Sequence, residues 1–415
     1  MVTDEAPLPA APPRPLWRNG DFLLLWSGQA VSTLGSTIST LALPLLVLAL
    51  TRSPAQAGFI AAAQAIPYIV LGLPAGALVD RWDRKAVMIR CDLARALALG
   101  SVPLAALWGR LTLAQLYGVA LVTGTALVFF NIAQTAALTR VVSGEQLPRA
   151  TALDRTADSV AALVGPGVGG VLISLARSTL TGAALAFLVD SLSYLASTLS
   201  LLLIGLPFQA QRAPVAERTL RGEIAEGLEF LWTHRRIRAL ALVSMAATLF
   251  FSPLSLVIIV LAQQRLHADA RTIGLIFSIG SGGAVLGAIV APALKARLRV
   301  GVVVIGTVAI EALSTGLLAV APSPVLLVLG WAVHQPGRPH LQCDRPVLSP
   351  DAHSRRLARA RHRCLPAAKQ RRSPSRPRGR RPAFGICRPR PVLWIMAGGG
   401  MLIALAVSFT ELRQA

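Results

Sequence analysis

The sequence predicts an all-α polytopic membrane protein made of two six-helix halves, with its tenth helix truncated and its eleventh disrupted. Three observations carry that reading. Of 415 residues, 54% are hydrophobic and only 14% charged, whereas a soluble globular protein carries about 25% charged residues. Apolar runs recur along the chain, each long enough to cross about 30 Å of hydrocarbon. One block near the C-terminus breaks the pattern: "RHRCLPAAKQRRSPSRPRGRRPAFGICRPRP", from Arg361 to Pro391.

Residues 1–21 are polar, Pro-rich and partly acidic. They lack the basic stretch followed at once by an apolar core that marks a cleaved signal peptide, so a cytoplasmic tail is expected. Runs at 22–49, 55–79, 86–108, 113–137, 157–176 and 182–205 make an N-terminal six-helix half over 22–205. Each is read as a helix, because a backbone in lipid must satisfy its own hydrogen bonds. Residues 206–238 form a cytoplasmic central loop. Within it "GEIAEGLEFLW" has apolar residues at helical spacing, which predicts an amphipathic helix on the membrane surface. Runs at 239–262, 272–294, 301–320 and a short 324–334 supply helices seven to ten over 239–334. The basic segment 335–391 follows, and 392–415 holds the last membrane helix.

Orientation follows from the basic residues. With the N-terminus inside, eighteen Arg and Lys fall on the cytoplasmic side before residue 335, against five on the other (Arg52, Arg110, Arg177, Arg265 and Arg271). That bias puts the N-terminus in the cytoplasm. An internal repeat supports two halves: "GALVDRWDRKA" starts at Gly76 and "GAIVAPALKAR" at Gly287, with Ala291 in the place of Asp80. Paired six-helix halves are a common transporter plan, with the substrate site near the midplane between them.

"GALVDRWDRKAV", Gly76 to Val87, resembles the G-x-L-x-D-R-x-G-R-K signature of the major facilitator superfamily. The resemblance implies a conformational latch: Gly76 for close helix approach, Asp80 to pair at a helix end, and Arg81, Arg84 and Lys85 as the cytoplasmic charge cluster. Asp83 stands where that pattern often has Gly, which leaves the turn open. A plain topology-setting basic loop is the alternative. "ALVGPGVGGVL", Ala162 to Leu172, resembles the motif of the superfamily's exporters, with Gly165, Pro166, Gly169 and Gly170 at its core; generic helix packing is the alternative. The same string satisfies G-x-G-x-x-G, with Asp190 twenty residues later. No strand precedes it and it lies within a membrane-length run, so no dinucleotide or other cofactor is expected. "LWRNGDFLLLWSGQAVSTLGS", "DRWDRKAVM" and "EGLEFLWTHRRIRAL" look like the enterobactin-exporter and macrolide-efflux branch. The resemblance implies proton antiport of a drug, siderophore or other small amphiphile.

Ionisable residues within the spans are few: Asp92, Arg95, Asp158, Asp190 and Glu311. Burying such groups is costly, so each is a candidate for proton coupling. Asp190 and Glu311 lie deepest, while Asp92 and Arg95 can simply pair with each other. Gln29, Gln64, Asn131 and Phe250 are candidates to line an amphiphile-accepting cavity, with packing as the alternative. No nucleophile–base set, phosphate loop or metal site is visible, so an enzyme is not expected.

The net charge of +22 would suggest a nucleic-acid partner if it were evenly spread. Instead 15 Arg and 1 Lys against 2 Asp give +14 within residues 335–391, leaving +8 elsewhere. The expected partners are therefore the lipid bilayer, protons and a small amphiphile, for a monomer in a bacterial plasma (inner) membrane. The block has the length that the rest of a tenth helix, a loop, an eleventh helix and a turn require, but not the composition. That predicts a frameshifted stretch, disordered and unable to span. The competing reading is a non-transporting membrane protein whose basic arm binds anionic lipid or nucleic acid.

Overall fold

The computed structural model describes residues 15–209, 250–297, 300–320, 323–334 and 389–408, with isolated positions between 222 and 246. Every element described there is helical. After a short 3-10 turn at Leu16–Arg18 come α1 (Gly20–Thr51), α2 (Pro54–Arg81), α3 (Arg84–Leu107), α4 (Leu113–Val141), α5 (Leu147–Leu175) and α6 (Thr179–Leu203). These are followed by α7 (Leu254–Leu266), α8 (Ala270–Arg297), α9 (Val300–Val320), α10 (Pro324–His334) and α11 (Pro389–Ser408). By the sequence reading, α11 stands in the twelfth position.

Polar side chains set where helices begin. Asn19 accepts from the Phe22 N–H at 3.1 Å, and its amide donates to the Val141 carbonyl at 2.8 Å, which ties the start of α1 to the end of α4. Asp83 caps α3, Thr112 caps α4, and Ser178 forms a capping box with Thr181 at α6. Asp269 caps α8 by accepting from the Thr272 N–H at 2.9 Å; the Thr272 hydroxyl and N–H together hold its carboxyl below the ordinary value. Each cap satisfies donors that the first turn leaves without partners.

Small residues set how the helices pack. Lipid tails are as apolar as leucine, so association depends on close fit rather than on the hydrophobic effect. α6 lies against both α1 and α3, α2 against α4, and α1 also against α5. A Cβ at Gly28 would strike Ser200, one at Gly35 would strike Ser193, and one at Gly124 would strike the backbone of Gln64. α8 packs on α10, where Gly283 faces the Ala332 carbonyl, and α9 packs on α10 and α11. The principal contact between α1–α6 and the later helices is the α5–α8 seam; α1 and α2 touch α7 only lightly.

Three boundaries differ from expectation. The seventh run, expected over 239–262, is interrupted by a turn at Ser252–Pro253: the described positions 242, 246, 250 and 251 before it are helical, and α7 continues from Leu254; Pro253 cannot donate to a preceding turn. α5 starts ten residues before its apolar run, because its charged first turns extend beyond the hydrocarbon: 29 residues make about 43 Å. α11 takes in Arg390, one of the residues assigned to the basic block. Six of the helices carry spans long and apolar enough to cross a membrane, and α3 is not among them. Arg90, Asp92 and Arg95 lower its hydropathy, and the fold buries the latter two. The tail before residue 15, most of the amphipathic stretch in the central loop, and segment 335–388 lie outside the described residues.

Candidate functional site

The most heavily buried charges lie where α1, α3, α4 and α6 meet. Asp92 is fully buried on α3, Arg95 is 4% exposed one turn on, and Asp190 on α6 is 2% exposed. Asp92 accepts a hydrogen bond from the Ser197 hydroxyl at 2.7 Å and pairs with the Arg95 guanidinium at 3.7 Å. That guanidinium also lies 5.0 Å from the Phe130 ring centre and 5.1 Å from that of Tyr194. Both rings offer their faces to the cation, worth about 0.5–2 kcal/mol each. The Tyr194 hydroxyl in turn shares a 2.7 Å hydrogen bond with Ser36 on α1. Asp190 faces α1 at Gly35, and its carboxylate accepts from Ser193 at 3.4 Å. Two buried carboxylates and one buried arginine thus lie on the packed helices α3 and α6, with Asp92 as the ion-pair partner of the arginine.

A second polar centre lies among the later helices. Glu311 on α9 and His334 at the end of α10 are both buried, with Oε1 and Nδ1 3.8 Å apart. Trp331 and Phe251 rings lie 5.4 and 5.8 Å from the histidine ring. Phe277 meets Trp331 edge-on at 4.7 Å, and the indole N–H reaches the Ser281 hydroxyl at 3.3 Å. Asp158 belongs to neither centre. Its side chain is 55% exposed on α5 and lies 4.0 Å from Arg155, the geometry of a weak surface pair.

The charged turn between α2 and α3 is ordered by local contacts. Arg84 pairs with Asp80 at 3.3 Å, and Lys85 donates to the Ile204 carbonyl at the end of α6 at 2.6 Å. Asp83 accepts from the Ala86 N–H with φ −65° at the cap, so the turn has no need of the glycine that the superfamily pattern often carries there. At Gly76 a Cβ would meet nothing within 4 Å among the described residues, so none of the described helices approaches closely at that point.

The glycine string on α5 sits at a three-helix junction. A Cβ at Gly165 would strike Thr37 of α1, and one at Gly169 would lie 3.1 Å from the Ile38 carbonyl. On the other side a Cβ at Gly170 would lie 2.5 Å from the Ala270 carbonyl, and Gly274 of α8 faces the carbonyl of Pro166. The Gly167 N–H donates to the Ser278 hydroxyl at 2.8 Å across this seam.

A family model described as transmembrane secretion effector matches residues 10–335. The chain belongs to that family of the major facilitator superfamily. The multidrug efflux pump Tap of Mycolicibacterium fortuitum is 31% identical over 58% of this chain and 59% of its own length. Macrolide efflux protein A of Streptococcus pyogenes is 26% identical over 56% of each chain. The matches therefore span less than two thirds of either relative. In fold the chain resembles the crystal structure of the nucleoside transporter NupG, with TM-score 0.66, 15% identity, and coverage of 93% of this chain and 98% of that one. This superfamily consists of multi-pass membrane transporters rather than enzymes.

For a secretion-effector chain, the sequence singles out the charged members of both polar centres but not their neutral partners. Ser36, Ser197, Tyr194 and His334 are missed because serine, tyrosine and histidine are unremarkable in a helix until a distant residue meets them. The four cavity candidates do not converge on one contact. Gln64 is exposed and reaches Thr123 of α4 at 3.4 Å, and Asn131 is exposed on α4. Phe250 packs against α11, where its ring fills the space over Gly399. Gln29 alone of the four is enclosed, and its amide nitrogen has no hydrogen-bond partner among the described residues.

Proposed function

We propose that this secretion-effector protein is a proton-coupled exporter of small amphiphilic molecules such as drugs or siderophores. It works by alternating access as a monomer in a bacterial plasma membrane, with its N-terminus in the cytoplasm. The observation that carries this is the group Asp92, Arg95 and Asp190. A buried arginine paired with one carboxylate, with a second buried carboxylate on the helix packed against its own, has two charge states of similar cost, and proton binding selects between them. Protonation of Asp190 removes the second buried negative charge, leaving the Asp92–Arg95 pair, and loosens the hold of α6 on α1 at Gly35. The α5–α8 seam then serves as the surface on which the two sets of helices rock, and the Asp80–Arg84 turn as the latch made in one state and broken in the other. Glu311 with His334 is the corresponding protonatable pair of the later helices. The efflux activities in the names of the two relatives support the cargo class.

A second reading concerns the chain as it is translated. The composition of 335–391 leaves no eleventh span, so this chain, unlike one with the frame restored, does not transport. Ethidium efflux from cells expressing each version tests both readings. Efflux by the frame-restored chain alone, abolished by a protonophore, supports them. Equal efflux by the unaltered chain refutes the second, and efflux indifferent to the protonophore refutes the first.

A further inference from the structure

A groove runs along the outer face of the α3–α4 pair, walled by Cys91 and Ala94 on one side and Leu121, Thr125 and Phe129 on the other, with Arg90 at one end. Its volume is about 360 Å³ and it is open along its length. Arg90 is exposed and makes no ion pair or hydrogen bond with the described residues, although Arg84, Arg95 and Arg155 among the first helices all have partners. It lies six residues into α3, about 9 Å along the axis, within reach of a headgroup for a long side chain that extends toward the interface. Phe129, at the same end, is stacked by Trp82 from the α2–α3 corner, with ring centres 5.8 Å apart and planes 24° apart. Trp82 is 46% exposed, as an indole at the membrane interface would be. Asp92, the nearest carboxylate along α3, is turned away into the contact with Ser197 and cannot neutralise Arg90.

We infer that this groove is a binding site for an anionic glycerophospholipid, with one acyl chain between α3 and α4 and the headgroup phosphate on Arg90. The walls are apolar apart from Thr125 and run about 12 Å from Phe129 to Leu121, the length of two helical turns. That suits a hydrocarbon chain. A guanidinium without a partner among the described residues at the groove end suits a phosphate diester, which it can bind through two parallel N–H donors. The site lies wholly within α3, α4 and the corner before them. It goes beyond the proposed export activity and does not depend on it.

The test uses the full chain in phosphatidylcholine vesicles containing a trace of phosphatidylglycerol with a photoactivatable group in its acyl chain. Adducts are mapped by peptide mass spectrometry and compared with those of identically tagged phosphatidylcholine. Adducts should centre on Cys91, Ala94 and Leu121 to Phe129, with about a fivefold preference for phosphatidylglycerol, the factor expected of one cation near an anionic surface. Arg90→Gln, at an exposed position that cannot disturb the core, should bring the two lipids to parity. Ala94→Phe should fill the groove and remove adducts of both. Equal labelling by the two lipids in the unaltered chain, or a preference that survives Arg90→Gln, would overturn the inference.

Discussion

Arg95 is the residue on which the first polar centre depends. Arg95→Leu should destabilise the protein strongly, because Asp92 would remain fully buried with only Ser197 to hold it. Removing one member of a buried pair costs about 3–5 kcal/mol, and a lowered melting temperature of the purified protein in detergent would show it; an unchanged melt would mean that Asp92 is already neutral. Asp80 presents the opposite case. Its side chain is 70% exposed, and its pairing with Arg84 is worth about 0.3–0.5 kcal/mol. In the frame-restored protein, Asp80→Asn should therefore leave membrane insertion and the melt untouched while impairing efflux, because a latch needs a contact that is cheap to break. Undiminished efflux at equal expression would count against the latch. Asp190 is identifiable from sequence because a charge within an apolar run is costly, although a carboxyl held neutral by a neighbour is the alternative explanation. Gly76 shows the limit of a signature, because a glycine inside one does not reveal what faces it, and none of the described helices does.

At the scale of elements, the spans are legible and their partners are not. Length and apolarity are properties of one segment, and they locate α1, α2, α4, α6 and α8 to within a few residues. α5 and α7 depart where charged turns project beyond the bilayer and where Pro253 stops a helix. The glycine string from Gly165 to Gly170 announces a close contact, but no pattern in α5 can name Gly274 and Ser278 as the other side. The seam gives two graded predictions. Gly274→Leu puts a side chain against the Pro166 carbonyl and should cost about 1–3 kcal/mol of stability through overpacking, with loss of efflux. Ser278→Ala removes a single interhelical hydrogen bond, worth about 0.6 kcal/mol within a membrane, and should leave the melt almost unchanged. Detergent melts of the two variants, run side by side, check the order; a larger loss for Ser278→Ala would show that the hydrogen bond rather than close packing holds the seam.

At the scale of the whole molecule, the anomaly at 335–391 and the family membership have to be reconciled. The family match ends at residue 335, where the apolar pattern also ends. Each Arg at the bilayer centre costs about 2.5–3.5 kcal/mol on insertion scales, so no span can be drawn through this block. The coding DNA of residues 330–395 should contain, in a shifted frame, an apolar run of about 20 residues after a short polar loop. If neither alternative frame holds such a run, the basic segment is a genuine part of the protein. The central claim, that a proton bound at the Asp92–Arg95–Asp190 group drives export, is tested most directly in proteoliposomes. The frame-restored protein is reconstituted with a pH-sensitive dye inside, and ethidium is added. The account predicts ethidium-driven proton movement in the frame-restored protein and none in its Asp190→Asn variant, which should still exchange ethidium down its gradient. Proton movement of equal size in Asp190→Asn would contradict it.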